Sequence, residues 1–164
     1  MNAVQFIRLN LEMGAGITLQ LLDNMHDAPL TFPTPKGGNH PLWVIGHMAF
    51  VEGQIQGMLI GRPNPLAHWA GIFGGGTEPT ANPADYPAFE EARSAFMARR
   101  ADTLQYLETL TDADLDRAVA VPPELQKHIG TVAKLLFVIT ANTLTHRGQV
   151  ADSRRAAGRP KLGL

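Results

Sequence analysis

The chain has 164 residues, 45% of them hydrophobic and 18% charged, which suits one globular domain spanning 1–164 and argues against disorder. Fourteen Lys and Arg stand against fifteen Asp and Glu, a net charge of −1, so there is no basic footprint for a nucleic-acid partner. The absence of cysteine excludes disulfide frameworks, Cys-ligated zinc, iron–sulfur clusters and cysteine nucleophiles, and makes a reducing, cytoplasmic setting the expectation.

The opening MNAVQFIRLNLEM lacks the basic start and continuous apolar run of a signal peptide, and no stretch is apolar enough to span a membrane. Residues 3–26 read as the first helix, with Phe6, Leu9, Met13, Ile17, Leu21 and Met25 at three- and four-residue steps. Pro29, Pro33, Pro35 and Gly37-Gly38 then break the chain. Asn39 is placed to cap a second helix from Pro41 to Ile60, which Gly61, Pro63 and Pro65 stop. Residues 61–86 form a long Gly/Pro-rich loop whose Trp69, Ile72 and Phe73 should lie on the body of the protein. Its Gly74-Gly75-Gly76 run lacks the preceding strand and following Lys of a phosphate loop and reads as a turn.

A third helix should begin near Asp85, with Phe89, Ala92, Phe96, Thr103, Leu107 and Leu110 along its inward stripe. Thr111 and Asp114 match a capping box over one short turn, and Pro122-Pro123 keep the next stretch irregular. Thr131 caps a fourth helix reaching about Ala157, where Gly158 and Pro160 end it. The basic residues Arg154, Arg155, Arg159 and Lys161 complement the dipole at that end. Four long helices and no sustained period-two alternation predict an all-α protein, an antiparallel four-helix bundle with its long loop between helices two and three.

The fourth helix carries the chemistry. With Ile139 at the centre of its stripe and about 100° per residue, Val132, Leu135, His146 and Val150 fall within about 40° and Asn142 at about 60°. Asn142 and His146 therefore interrupt an apolar face one turn apart, and on the second helix His47 sits among Val44, Ile45, Met48 and Val51. Buried polar groups need partners, so the three are read either as an internal hydrogen-bonded cluster or as a metal site between facing helices. Gln149 is placed to orient His146; Glu52, about 140° round the helix from His47, is a remote candidate for a further ligand. His68 and Trp69 lie on the long loop, where either surface packing or substrate contact is open to them, and His40 is expected to be exposed. Arg147, at the edge of the inward stripe, suits a structural ion pair.

The tail THRGQVADSRRAAGRP resembles the C-terminal motif of the DinB-like superfamily, HxxxHRGQ followed by a basic turn and Gly-x-Pro. HPLWVIGHMAFVEG is similar to that family's second-helix motif, and IFGGGTEPTANPADYPAFEEAR resembles the glycine-rich loop and Tyr-Pro helix start of one of its branches. The resemblance implies a dimeric four-helix bundle holding a divalent metal, zinc or nickel, on three histidines. Its members include bacillithiol transferases and mycothiol-dependent maleylpyruvate isomerase. His47 and His146 match the first and third ligand positions, while Asn142 stands at the second. An amide oxygen is a weaker donor than imidazole, so the implied site, His47, Asn142 and His146, is expected to bind less tightly.

Ser94 and Ser153, the only serines, lack a nucleophile-elbow context, so any catalysis should draw its activation from a metal and its thiol, if one is used, from a cosubstrate. The two functional expectations are a metal-binding, thiol-dependent transferase or hydrolase-type enzyme, and a non-catalytic dimeric bundle binding a small molecule or protein partner. A homodimer is expected on the resemblance and because a bundle with a long loop leaves apolar surface to cover.

Overall fold

Asn2 and Gln5 form a reciprocal capping box that opens α1 (Ala3–Asp23), and Asp112, far along the chain, adds a carboxylate that accepts the Ala3 and Val4 N–H groups. The computed structural model describes residues 1–27, 30–31, 38–160 and 162; Pro29, Pro33, Pro35, Gly37 and Lys161 lie outside the described residues. The buried face of α1 is Val4, Leu11, Gly14, Ala15, Thr18, Leu21 and Leu22. The expected stripe is thus corrected: Phe6, Leu9 and Met13 face solvent. Small side chains decide the orientation, because Gly14 lets the Thr143 methyl come within 3.5 Å of where a β-carbon would stand.

The cap of α2 (Pro41–Ile60) is His40, not Asn39: its Nδ1 accepts the Trp43 N–H at 3.0 Å, and Asn39 instead donates to Gln149. His40 is buried, against the expectation of exposure, and its Nε2 donates to the Thr80 carbonyl at 2.9 Å beside the Tyr86 ring. Every residue from Pro41 to Phe50 is buried, so this helix runs through the middle of the protein and needs no polar face. Gly61, at φ 69°, ends it in the left-handed conformation.

The long loop is partly helical. A 3₁₀ turn, Ala67–Trp69, leads into α3 (Ala70–Phe73), and both Trp69 and Phe73 are buried as expected. The Phe73 ring occupies the space above Gly46, where a β-carbon would overlap it. Helix α4 (Phe89–Leu107) starts later than the expected Asp85, because Tyr86 precedes a proline and is held extended, at φ −124° and ψ 155°. Pro83–Asp85 forms a separate 3₁₀ turn. The Thr111–Asp114 capping box is present. After Pro122 the chain is helical rather than irregular, with a 3₁₀ turn at Pro123–Leu125 continuing into α5 (Gln126–Ile129). Thr131 caps α6 (Val132–Ala156), and Gly158 at φ 70° follows it as expected.

The four long helices form the bundle. Gly14 meets Thr143 and Asn24 meets Arg154, so α1 and α6 run parallel; Glu52 meets Arg100 and Gln56 meets Thr103, so α2 and α4 do too. The pairs are antiparallel to each other, as Asp23–Arg93 and Arg8–Glu108 show for α1 with α4. The chain therefore runs up, down, down and up, with the long loop returning it along the bundle between two parallel helices. One apolar cluster gathers the N-terminal half of α2 with α3 and the ends of α1 and α6; a second fills the opposite end.

Candidate functional site

At the first of these ends, α2 and α6 bring two histidines ring to ring. The His47 and His146 centroids are 4.6 Å apart at 65°, and the Trp43 indole stacks on His47 at 4.4 Å and 13°. His47 Nδ1 lies 2.7 Å from the Phe73 carbonyl, the last of α3, while Trp43 Nε1 donates to the Ile72 carbonyl at 3.0 Å. Two ring nitrogens of α2 thus hold α3 by its free C-terminal carbonyls, which have no partner within so short a helix. Phe73 in the Gly46 notch fixes the distance.

His146 Nδ1 lies 2.7 Å from Gln149 Oε1, which also accepts the Asn39 amide at 3.1 Å. Gln149 therefore orients His146 as expected. A carbonyl oxygen accepts and cannot donate, so both Nδ1 atoms carry the proton. Both Nε2 atoms are left with a lone pair. Asn142 lies near the His47 ring and slightly opposes the fall in its pKa. Of the three residues singled out from the sequence, His47 and His146 are brought ring to ring with Asn142 nearby; His47 is buried, and Asn142 and His146 are half-buried.

Among the described residues no third histidine or carboxylate joins the pair. Glu52 does not lean in. It is buried against Arg100, whose Nε and Nη2 donate at 2.9 and 3.0 Å, and it accepts the Thr103 hydroxyl at 2.7 Å. Arg100 also donates to the Leu11 carbonyl and, at 3.1 Å, to Thr143 Oγ1. One α4 guanidinium thus ties α1, α2 and α6 together. Its signal lay in the sequence: Arg100 falls between Phe96 and Thr103 on the inward stripe of α4. His68 is exposed and touches Trp69 edge-on, and Arg147 lines a shallow hollow with Ile17, Leu21 and Ala151.

Burial pushes the pKa of His40, His47 and His146 below the ordinary imidazole value; for His47 the Phe73 carbonyl opposes the shift and a charged His146 would add to it. A histidine with a depressed pKa contributes stability above about pH 6.5, and that stability is lost as pH falls through its folded-state value, because the unfolded chain binds more protons. The thermal midpoint, measured with chelator present, should be level from pH 7.5 to 8.5 and fall steadily toward pH 5.5. His40→Asn, which keeps a capping acceptor, should flatten that slope. A midpoint that rises on acidification would contradict the burial of neutral imidazoles.

Among the described residues no helix is long and apolar enough to cross a membrane. Comparison with curated proteins returned no match. Among solved structures, the fold is similar to that of YfiT from Bacillus subtilis, described as a probable metal-dependent hydrolase with an unusual four-helix bundle topology. The two share 18% identity over 98% of this chain and 91% of that one, with a TM-score of 0.70, a likeness of fold. The model of the DinB superfamily matches residues 10–150, which include α2, α3, α4 and the paired histidines of α2 and α6. The chain belongs to the DinB superfamily.

Proposed function

We propose that this protein binds a divalent metal, zinc or nickel, through His47 and His146, with the Asn142 amide as a weaker third donor, and uses it in hydrolase-type or thiol-transfer chemistry. The observation that carries this reading is the pair of free Nε2 lone pairs on adjacent rings, each set by an Nδ1–H donated to a fixed oxygen. That donor set fits a borderline-soft cation bound by neutral imidazole. The ion would supply Lewis acidity, making water or a thiol nucleophilic near neutral pH.

The remaining roles fall to the chain itself. Trp43 stacks on one face of the His47 ring and the Phe73 carbonyl holds its Nδ1–H, which fixes the ring beside His146. Depressed pKa values keep both imidazoles neutral and able to donate at neutral pH. With Ser94 exposed on α4, Ser153 buried on α6 and no cysteine, the attacking group comes from outside the protein.

The amide at position 142 favours a second reading, a bundle that binds a small ligand without catalysis. Calorimetric titration with zinc and nickel, after purification without chelator, separates the two. Near one metal per chain, with at least tenfold weaker binding in His47→Ala and in His146→Ala, supports the metal reading. Wild-type binding no tighter than that of the alanine variants would leave a buried hydrogen-bonded cluster.

A further inference from the structure

Of the two paired imidazoles, only His146 takes its tautomer from a group that can turn over. His47 Nδ1 faces the Phe73 carbonyl, an acceptor fixed in the backbone. His146 Nδ1 faces a side-chain amide, that of Gln149, at 2.7 Å. An amide carries its oxygen and its NH2 group on one fork of nearly equal arms. With the oxygen toward the ring, the proton sits on Nδ1; with the NH2 toward it, Nδ1 accepts and the proton moves to Nε2. Whatever fixes the rotation of Gln149 therefore decides whether His146 Nε2 keeps a lone pair.

Asn39 is in place to fix it. Its Nδ2 donates to Gln149 Oε1 at 3.1 Å, so the donors of Asn39 and His146 converge on one oxygen. Reversing the Gln149 amide alone would set its NH2 group against that of Asn39, so the two amides can reverse only together. Asn39 is itself held from the next residue. The His40 ring is clamped between the Trp43 N–H and the Thr80 carbonyl, and the His40 carbonyl accepts the Val44 N–H. Because His40 caps α2, the side chain expected from the sequence to do so is released to reach α6.

We propose that Asn39 is a positioning residue for His146: its amide holds Gln149 Oε1 toward the ring, keeps the proton on Nδ1 and leaves the Nε2 lone pair available. The tautomer follows from the hydrogen bonds alone, while its use in holding a metal rests on the function proposed above. Asn39 sits on the segment entering α2 and His146 on α6, so the two helices that carry the paired rings also share the relay that sets one of them.

Nitrogen-15 NMR of the metal-free protein at about pH 8.5, above the depressed pKa of both rings, reads the tautomer of each histidine. The His146 signals are identified by their loss in His146→Ala. Wild type should carry the proton on Nδ1 of both His47 and His146. Asn39→Leu, which removes the donor, should give His146 a mixture of tautomers. Asn39→Asp, which can only accept, should turn Gln149 over and move the proton to Nε2. His47, held by the backbone, should stay on Nδ1 in every variant, which a general loosening of the site would not allow. Adding Gln149→Glu to Asn39→Leu should return the His146 proton to Nδ1, because both carboxylate oxygens accept. Zinc should bind Asn39→Leu about tenfold more weakly than wild type, the usual effect of losing an outer hydrogen bond to a ligand. An Nε2 proton on wild-type His146 would overturn the proposal, as would an Nδ1 proton retained in full in Asn39→Leu or in Asn39→Asp. Tautomer shifts without any change in zinc affinity would uphold the role of Asn39 and overturn the metal reading instead.

Discussion

Arg100→Met is expected to destabilise the protein by about 3–5 kcal/mol, the cost of leaving a buried carboxylate without its partner. Arg100 is 5% exposed and Glu52 2% exposed, so water cannot take over the lost hydrogen bonds. The variant also abandons the Leu11 carbonyl on α1 and the Thr143 hydroxyl on α6. Because every long helix of the bundle meets this guanidinium, the loss should appear as one cooperative transition at lower temperature, roughly 10–15 °C down for a chain of this size. The companion Glu52→Leu/Arg100→Met variant should recover most of the loss, since removing both charges removes the stranded one. Thermal melts of both variants check this. A double variant no more stable than Arg100→Met would mean that the bonds to Leu11 and Thr143, and not the ion pair, dominate.

Asn142→His should raise affinity for zinc or nickel by at least tenfold without unfolding the protein. Residue 142 lies one turn before His146 and near His47, so an imidazole there would join two rings whose Nδ1 atoms are already held by other partners. Three neutral nitrogens would leave coordination open for water or substrate, the arrangement of a catalytic site. Tenfold is about 1.4 kcal/mol, modest for a ligand whose backbone is already held within a helix. Because the metal binds the native state, its presence should also raise the thermal midpoint of the variant more than that of wild type. Equal affinities in the two proteins would mean that the three side chains do not converge on one point.

Helix existence and most helix ends were legible because they depend on neighbours in the chain. Pro41, Gly61, the Thr111–Asp114 box, Thr131 and Gly158 all act where pattern and backbone chemistry indicate. The pairing of His47 with His146 was legible for a related reason: a polar residue on an apolar helical face has to be answered from the facing helix. The charge balance and the lack of cysteine set limits on chemistry that no fold could relax.

Other features were decided only by tertiary packing. The inward face of α1 followed from Gly14, Ala15 and Thr18, whose small size matters only once α6 lies against them; periodicity alone favoured Phe6 and Met13. His40 became a buried cap because the long loop closed over it and offered the Thr80 carbonyl, forty residues away. Glu52 turned from the histidines to Arg100 because α4 runs parallel to α2, an arrangement set by the span of the loop between them and invisible in either helix. Spacing along one helix tells which residues share a face. What that face meets depends on the order and direction of helices distant in the chain, and there the third dimension chose the partners.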